Sequence, residues 1–188
     1  MNFLRKNLIF WIIALCGLGL DIGSKSVVFN SFGAVVSPKG TTMAAPYQPL
    51  YQPHADYPNV WVPEPYRPLS VIPNLFAIRI AFNLGAVWSS FHGQTMMLTV
   101  VSLVAILFVL YLLYKHACHW HYQIMLGLIL AGALGNLWDR IWYGGVRDFL
   151  DVYWQVHHWP TFNLADCYIV IGIGCYIVLE WRKPTPVK

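Results

Sequence analysis

Charge is scarce in this chain. Asp, Glu, Lys and Arg make up 11% of its 188 residues, against roughly 25% in an ordinary soluble domain, while 57% of residues are hydrophobic. With a mean hydropathy of +0.52, that shortage excludes a water-soluble globule and assigns the chain to a membrane. The net charge of +4 is too small to mark a nucleic-acid partner. Cysteine is short as well. Cys16, Cys118, Cys167 and Cys175 form no CxxC pair, which excludes a thiol redox protein and leaves them as small apolar fillers. A signal-peptide cleavage site is also missing. Arg5 and Lys6 precede an apolar run ending near Leu20, but no small-x-small site follows, and Leu15 is too large for a lipobox ahead of Cys16. An uncleaved first span is therefore expected.

What is present is a set of four apolar runs, at about 7–28, 95–114, 122–143 and 163–181. Each is near the ~20 residues that a bilayer-crossing helix needs. The expected fold is a mainly α membrane protein, a single domain over 1–188. It is a four-transmembrane-helix bundle with a small extracytoplasmic β-containing region. Basic residues in the short flanks (Arg5 and Lys6, Lys115, then Arg182, Lys183 and Lys188) put both termini in the cytoplasm. Spans one and three then run outward and span four inward. That topology carries Asp21 and Lys25, then Asn136, Asp139 and Arg140, then Asp166 to one depth near the outer face, with Asp148 in the loop leading into span four.

Between spans one and two, residues 38–73 hold nine of the 12 prolines together with Tyr47, Tyr51, Tyr57 and Tyr66. Proline at this density blocks helix and disfavours central strands, so an extended, partly ordered insertion is expected. After it, residues 75–82 read as a short strand or interfacial segment, and residues 83–89 as a turn back to the membrane.

The candidate chemistry lies in Gly135-Asn136-Leu137-Trp138-Asp139-Arg140, Val146-Arg147-Asp148-Phe149 and Phe162-Asn163-Leu164-Ala165-Asp166. Ionisable groups at membrane depth are costly and are read first as functional. Two carboxyl groups sharing a proton can hydrolyse an amide: the ionised one takes a proton from water and the protonated one donates to the carbonyl oxygen. The candidates are Asp21, Asp139, Asp148 and Asp166, with Asp56, Asp151 and Glu180 in less constrained places. Each has a plainer reading. Asp21 and Lys25 have the i,i+4 spacing of a local ion pair, Asp139 could pair with adjacent Arg140, and Asp148 could be solvated. Asp166, inside an apolar span, is the hardest to dismiss. Asn136 and Arg140, also i,i+4, could orient carboxylates.

These ordered motifs resemble lipoprotein signal peptidase, also called signal peptidase II. Asp21-x-x-Ser24-Lys25 resembles the family's first-helix motif, and Asn83-x-Gly85-Ala86-x-Trp88-Ser89 its turn motif. Gly135-Asn136-x-x-Asp139-Arg140, Val146-x-Asp148-Phe149 and Phe162-Asn163-x-Ala165-Asp166 resemble the remaining signatures. The resemblance implies an aspartic endopeptidase of the bacterial cytoplasmic (inner) membrane that cleaves diacylglyceryl-modified prolipoproteins just before the lipidated cysteine. It implies Asp148 and Asp166 as the catalytic pair. Asp21, Asn83, Asn136, Arg140 and Asn163 are implied as supporting groups, with Lys25, Gly85 and Asp139 in the same motifs. It also implies no cofactor and sensitivity to the cyclic peptide globomycin. The insertion at 38–73 departs from the family pattern without touching a motif.

Two other readings compete. A small transporter or proton-conducting protein would also place aspartates inside a bundle, but should spread polar groups through the membrane depth or break its helices. A metal site could form from His116, Cys118, His119 and His121, although these lie across the membrane from the aspartates. His157 and His158 read as interfacial polar residues, and Gly127, Gly132 and Gly135 as contacts for close helix packing.

Overall fold

The computed structural model describes residues 3–36, 51–54, 57–63, 67–83, 95–116 and 119–182. A short N-terminal turn, α1 (Phe3–Lys6), leads into α2 (Leu8–Ser31). Three further long helices follow, α3 (Thr95–His116), α4 (Trp120–Tyr143) and α5 (Leu164–Trp181). All four are long and apolar enough to cross a membrane, and each begins and ends within about three residues of its expected span. Their 18 to 24 residues give about 27 to 36 Å at 1.5 Å per residue, which matches a ~30 Å hydrocarbon core.

Helix α4 is the buried axis of the bundle, packed against α2, α3 and α5, while α3 and α5 leave most of their surface exposed. Phe10, Ala14, Val109, Leu113, Tyr122, Leu126 and Leu130 form the apolar core at one end. Close approach of α4 to α5 depends on Gly132, where an added Cβ would collide with the Ala165 backbone carbonyl.

The rest of the described chain is mostly β-structure. Strand β1 (Val35–Val36), β2 (Tyr51–His54) and β3 (Tyr57–Pro63) form an antiparallel sheet in the order β1-β3-β2. Strands β4 (Leu69–Ile72), β5 (Phe76–Asn83), β6 (Val146–Trp154) and β7 (His157–His158) form a second, in chain order. The short strand expected after the insertion is β5. The insertion itself departs from expectation: it contributes β2, β3 and β4, and β3 is a central strand despite its prolines. Pro58 and Pro63 occupy the second and last positions of β3, where a missing N–H interrupts the ladder least. Residues 37–50, 55–56 and 64–66 of that region lie outside the described residues.

Asp148 also departs from expectation. It lies not in a loop but in β6, opposite Ala81 of β5, and is 2% exposed. Gly144, in the left-handed region at φ 78°, closes α4 by donating its N–H to the Arg140 carbonyl (3.2 Å). One residue later the chain enters β6, so α4 delivers Asp139 and β6 delivers Asp148 to the same end of the bundle. A second apolar cluster, Phe29, Ala34, Ile80 and Phe82, ties the end of α2 to β5 there.

Candidate active site

The first turn of α5 builds the centre of the site. Asn163 caps the helix: its side chain accepts the Asp166 N–H at 3.1 Å, and the Asp166 carboxylate accepts the Asn163 N–H at 3.1 Å. This reciprocal box satisfies two helix-terminal donors and fixes both side chains. The Asn163 oxygen faces its own helix, so its amide nitrogen points away, donating to Asp148 Oδ1 at 2.6 Å and to Asn136 Oδ1 at 3.1 Å. Asn136, on α4, passes its own Nδ2 to Asp166 Oδ1 at 2.8 Å. Two carboxamides thus bridge Asp148 and Asp166. The turn is held against β6 because Leu150 and Phe162 exchange backbone hydrogen bonds of 2.8 and 3.0 Å.

Around this bridge lies a buried four-charge network. Lys25 Nζ donates to Asp21 Oδ2 at 2.7 Å and to Asn136 Oδ1 at 3.3 Å, and lies 3.6 Å from Asp139. Asp21 in turn accepts the Ala165 N–H at 2.9 Å. Asp139 receives the Arg147 backbone N–H at 2.9 Å and its guanidinium at 2.9 to 3.3 Å. The side chains of Lys25, Asp21 and Asp139 are fully buried. Two cations and two anions balance, which is what makes their burial tolerable.

Asp148 differs from Asp166 in surroundings. Complete burial pushes its carboxyl well above the usual carboxylate range, and the negative charge of Asp166 pushes the same way. Hydrogen bonds from Asn163 and Asn83 and the charge on Lys25 oppose this without cancelling it. Asp166 is half-buried and accepts two N–H donors, from Asn136 Nδ2 and the Asn163 backbone. Two carboxyls held by one bridge in unequal environments can divide acid and base roles.

Most of the expected residues therefore meet. Asp21, Lys25, Asn136, Asp139, Asp148, Asn163 and Asp166 form one connected set, with Asn83 bonded to Asp148. Gly85 lies outside the described residues. Arg140 reaches the site by charge, facing Asp166, Asp148 and Asp139. Among the described residues it makes no ion pair, and its Nη1 donates to the Asn136 carbonyl at 3.3 Å.

The family model described as signal peptidase (SPase) II matches residues 13–182. The chain belongs to the signal peptidase II family. Among relatives, the lipoprotein signal peptidases of Ralstonia nicotianae and a Janthinobacterium species are each 40% identical over 116 residues. These alignments cover 60% of this chain and 67% and 70% of those proteins. The lipoprotein signal peptidase of Polynucleobacter necessarius is 40% identical over 122 residues, covering 65% of this chain and 74% of that one. A bacterial membrane enzyme solved in meso at 2.3 Å resolution shares the fold. Its TM-score is 0.69 at 22% identity, over 95% of this chain and 94% of that one.

In this signal peptidase II family member, two readings of single residues need correction. The partner of Asp139 is Arg147, not Arg140, because adjacent residues on a helix point about 100° apart. Arg147 was the missed residue. The signal for it was a carboxylate at the end of α4 that needed a cation, with the next one lying just past a Gly-Gly turn. Asp151, set aside as unconstrained, is 1% exposed and contacts Arg79 at 3.5 Å and His158 at 2.9 Å. Glu180, set aside with it, accepts the Tyr122 hydroxyl at 2.5 Å. Asp56 lies outside the described residues. Of the possible metal cluster, Cys118 also lies outside them. His116 stacks on Tyr122 and His119 on His121, at the end of α4 away from the aspartates.

Proposed function

We propose that this chain is an aspartic endopeptidase that removes signal peptides from diacylglyceryl-modified prolipoproteins, cutting just before the lipidated cysteine. The observation that carries this reading is the bridge Asp148–Asn163–Asn136–Asp166. Asp166, with two N–H donors on its carboxylate, is the base that takes a proton from the attacking water. Asp148, buried and held protonated, donates to the scissile carbonyl oxygen. The tetrahedral intermediate collapses as Asp166 passes its proton to the leaving amine and a gem-diol hydroxyl returns its proton to Asp148, so the C–N bond breaks and the pair again holds one proton. Asn136 and Asn163 hold the two carboxyls in reach of one another, and Arg140 supplies positive charge facing the developing oxyanion. Asp21, Lys25, Asn83, Gly85 and Asp139 support the arrangement.

The whole chain acts as one integral-membrane peptidase domain, multi-pass in the bacterial cytoplasmic membrane with both termini inside. The site lies near the outer face, where lipidated precursors are presented. Its partners are the precursor lipoproteins and surrounding lipid, and globomycin inhibits it. A small transporter is the weaker reading, because the buried charges gather at one end of the bundle and the family is one of peptidases. The test is cleavage of a fluorogenic diacylglyceryl lipopeptide by purified protein, with and without globomycin. The expected product ends just before the lipidated cysteine. No cleavage by a folded, membrane-reconstituted preparation would overturn the proposal.

A further inference from the structure

A primary amide has two orientations of equal shape and opposite polarity, and the dyad works with only one of them. Asn136 must direct Nδ2, not Oδ1, at Asp166. An oxygen in that place would face a carboxylate oxygen, a contact that only a protonated Asp166 could satisfy. Asn163 has its polarity fixed by the helix N–H that its oxygen accepts. Asn136 has no such backbone anchor for its oxygen. Its Oδ1 is held by Asn163 Nδ2 at 3.1 Å and by Lys25 Nζ at 3.3 Å, and an ammonium donates but never accepts.

We propose that Lys25 is a positioning residue that locks the polarity of the Asn136 carboxamide, and so keeps a hydrogen-bond donor aimed at Asp166 of the Asp148–Asp166 pair. This deepens the aspartic-peptidase reading and rests on it. Lys25 touches no reacting atom. It acts through a directed relay from ammonium to Asn136 Oδ1, then from Asn136 Nδ2 to Asp166 Oδ1. Asp21 holds Lys25 in place at 2.7 Å while its other oxygen accepts the Ala165 N–H, so the relay is registered to the first turn of α5. The charged and titratable groups around the dyad are Lys25 and Asp21 from α2, Asp139 and Arg140 from α4, Arg147 beside Asp148 on β6, and Cys167 and Tyr168 on α5. Lys25 alone among the cations also hydrogen-bonds a carboxamide of the bridge.

Lys25→Met by itself strands the buried Asp21 carboxylate and costs fold stability. The decisive variant is Asp21→Asn/Lys25→Met, which removes one charge of each sign and leaves the Asp139–Arg147 pair intact. Asn136→Asp is the second, replacing the donor that faces Asp166 with an oxygen at constant shape. Both are compared with the parent in nanodiscs, by thermal melt and by kcat and KM across pH. The double variant is expected to melt cooperatively, keep its KM and lose kcat by about tenfold or more, short of the loss for a group that itself moves a proton. Its kcat profile shifts to higher pH, because removing the donor that favours the ionised pair lets it protonate more readily. Asn136→Asp is expected to shift the profile the same way. Parental kcat and pH profile in either folded variant would overturn the proposal, as would a rise in KM alone. Failure of the dyad itself is distinguishable, since it would show as activity retained by Asp148→Asn or Asp166→Asn.

Discussion

At the scale of the residue, the informative fact about Asp148 is that folding works against its charge. Its carboxyl titrates well above the ordinary range because it is buried and faces Asp166. The folded state therefore holds this proton more tightly than the unfolded chain. Stability falls as pH rises from the unfolded value through the folded one, and stays reduced above it. Asp148→Asn is expected to abolish cleavage, by at least the roughly 10²–10⁴-fold of a lost acid–base group, and yet to raise the melting temperature. The gain should be larger at pH 8 than at pH 5, read by melts of parent and variant in the same detergent. Asp166→Asn should be equally inactive. Asp139 is the control: fully buried and bonded to Arg147, its replacement by Asn breaks a buried pair at a cost of about 3–5 kcal/mol. Reduced thermal stability with turnover preserved in the folded fraction is expected. An inactive Asp139→Asn beside an active Asp148→Asn would reassign the dyad to Asp139 and Asp166.

At the scale of the element, α5 shows how a helix start can be a site. The capping box that starts the helix fixes Asn163 and Asp166, so local folding of four residues fixes half of the dyad. The other half, Asp148, is set by the pairing of β6 with β5 and by Asn163, while the charges around the dyad depend on how closely α2 and α4 approach. An added Cβ at Gly135 would collide with the Asp21 carboxylate, which leaves no room for any side chain there. Gly135→Ala is expected to displace Asp21 and, through Lys25 and Ala165, to lower both melting temperature and kcat. Unchanged values for both would mean that the helices can separate without disturbing the site. The four spans were legible in the sequence because twenty apolar residues in a row admit few structures. Strand β6 was not, because its run Val146-Arg147-Asp148-Phe149-Leu150-Asp151 mixes charge with apolar residues and has no clean period. Its charges are buried by partners on other elements (Asp139, Asn163, Arg79 and His158), and which of the charges near in sequence meet is set by how those elements pack.

At the scale of the whole molecule, the β-structure divides into a sheet that carries the site and one that does not. Strands β5 and β6 hold Asn83 and Asp148, whereas β2 and β3 lie wholly within the proline-rich insertion and contribute no candidate group. Replacing residues 37–66 by a Gly/Ser linker keeps β4 to β7 and is expected to leave cleavage of a minimal lipopeptide largely intact. Any loss should fall on full-length precursors, compared by kinetics on both substrates. Collapse of minimal-peptide cleavage in a folded variant would make the insertion part of the site. Two carboxyls suffice to activate water, so activity is expected to survive strong chelators. Loss in EDTA that zinc restores would refute the aspartic mechanism. The sequence by itself determined the membrane class, the four spans and the ordered polar motifs, because hydrophobic length and residue type are properties of short segments. Which cation neutralises Asp139, which carboxyl is buried and which way each amide points were decided only by the tertiary structure. Those are properties of contacts between α2, α4, β6 and α5, and a buried charge takes whichever partner the packing brings within reach.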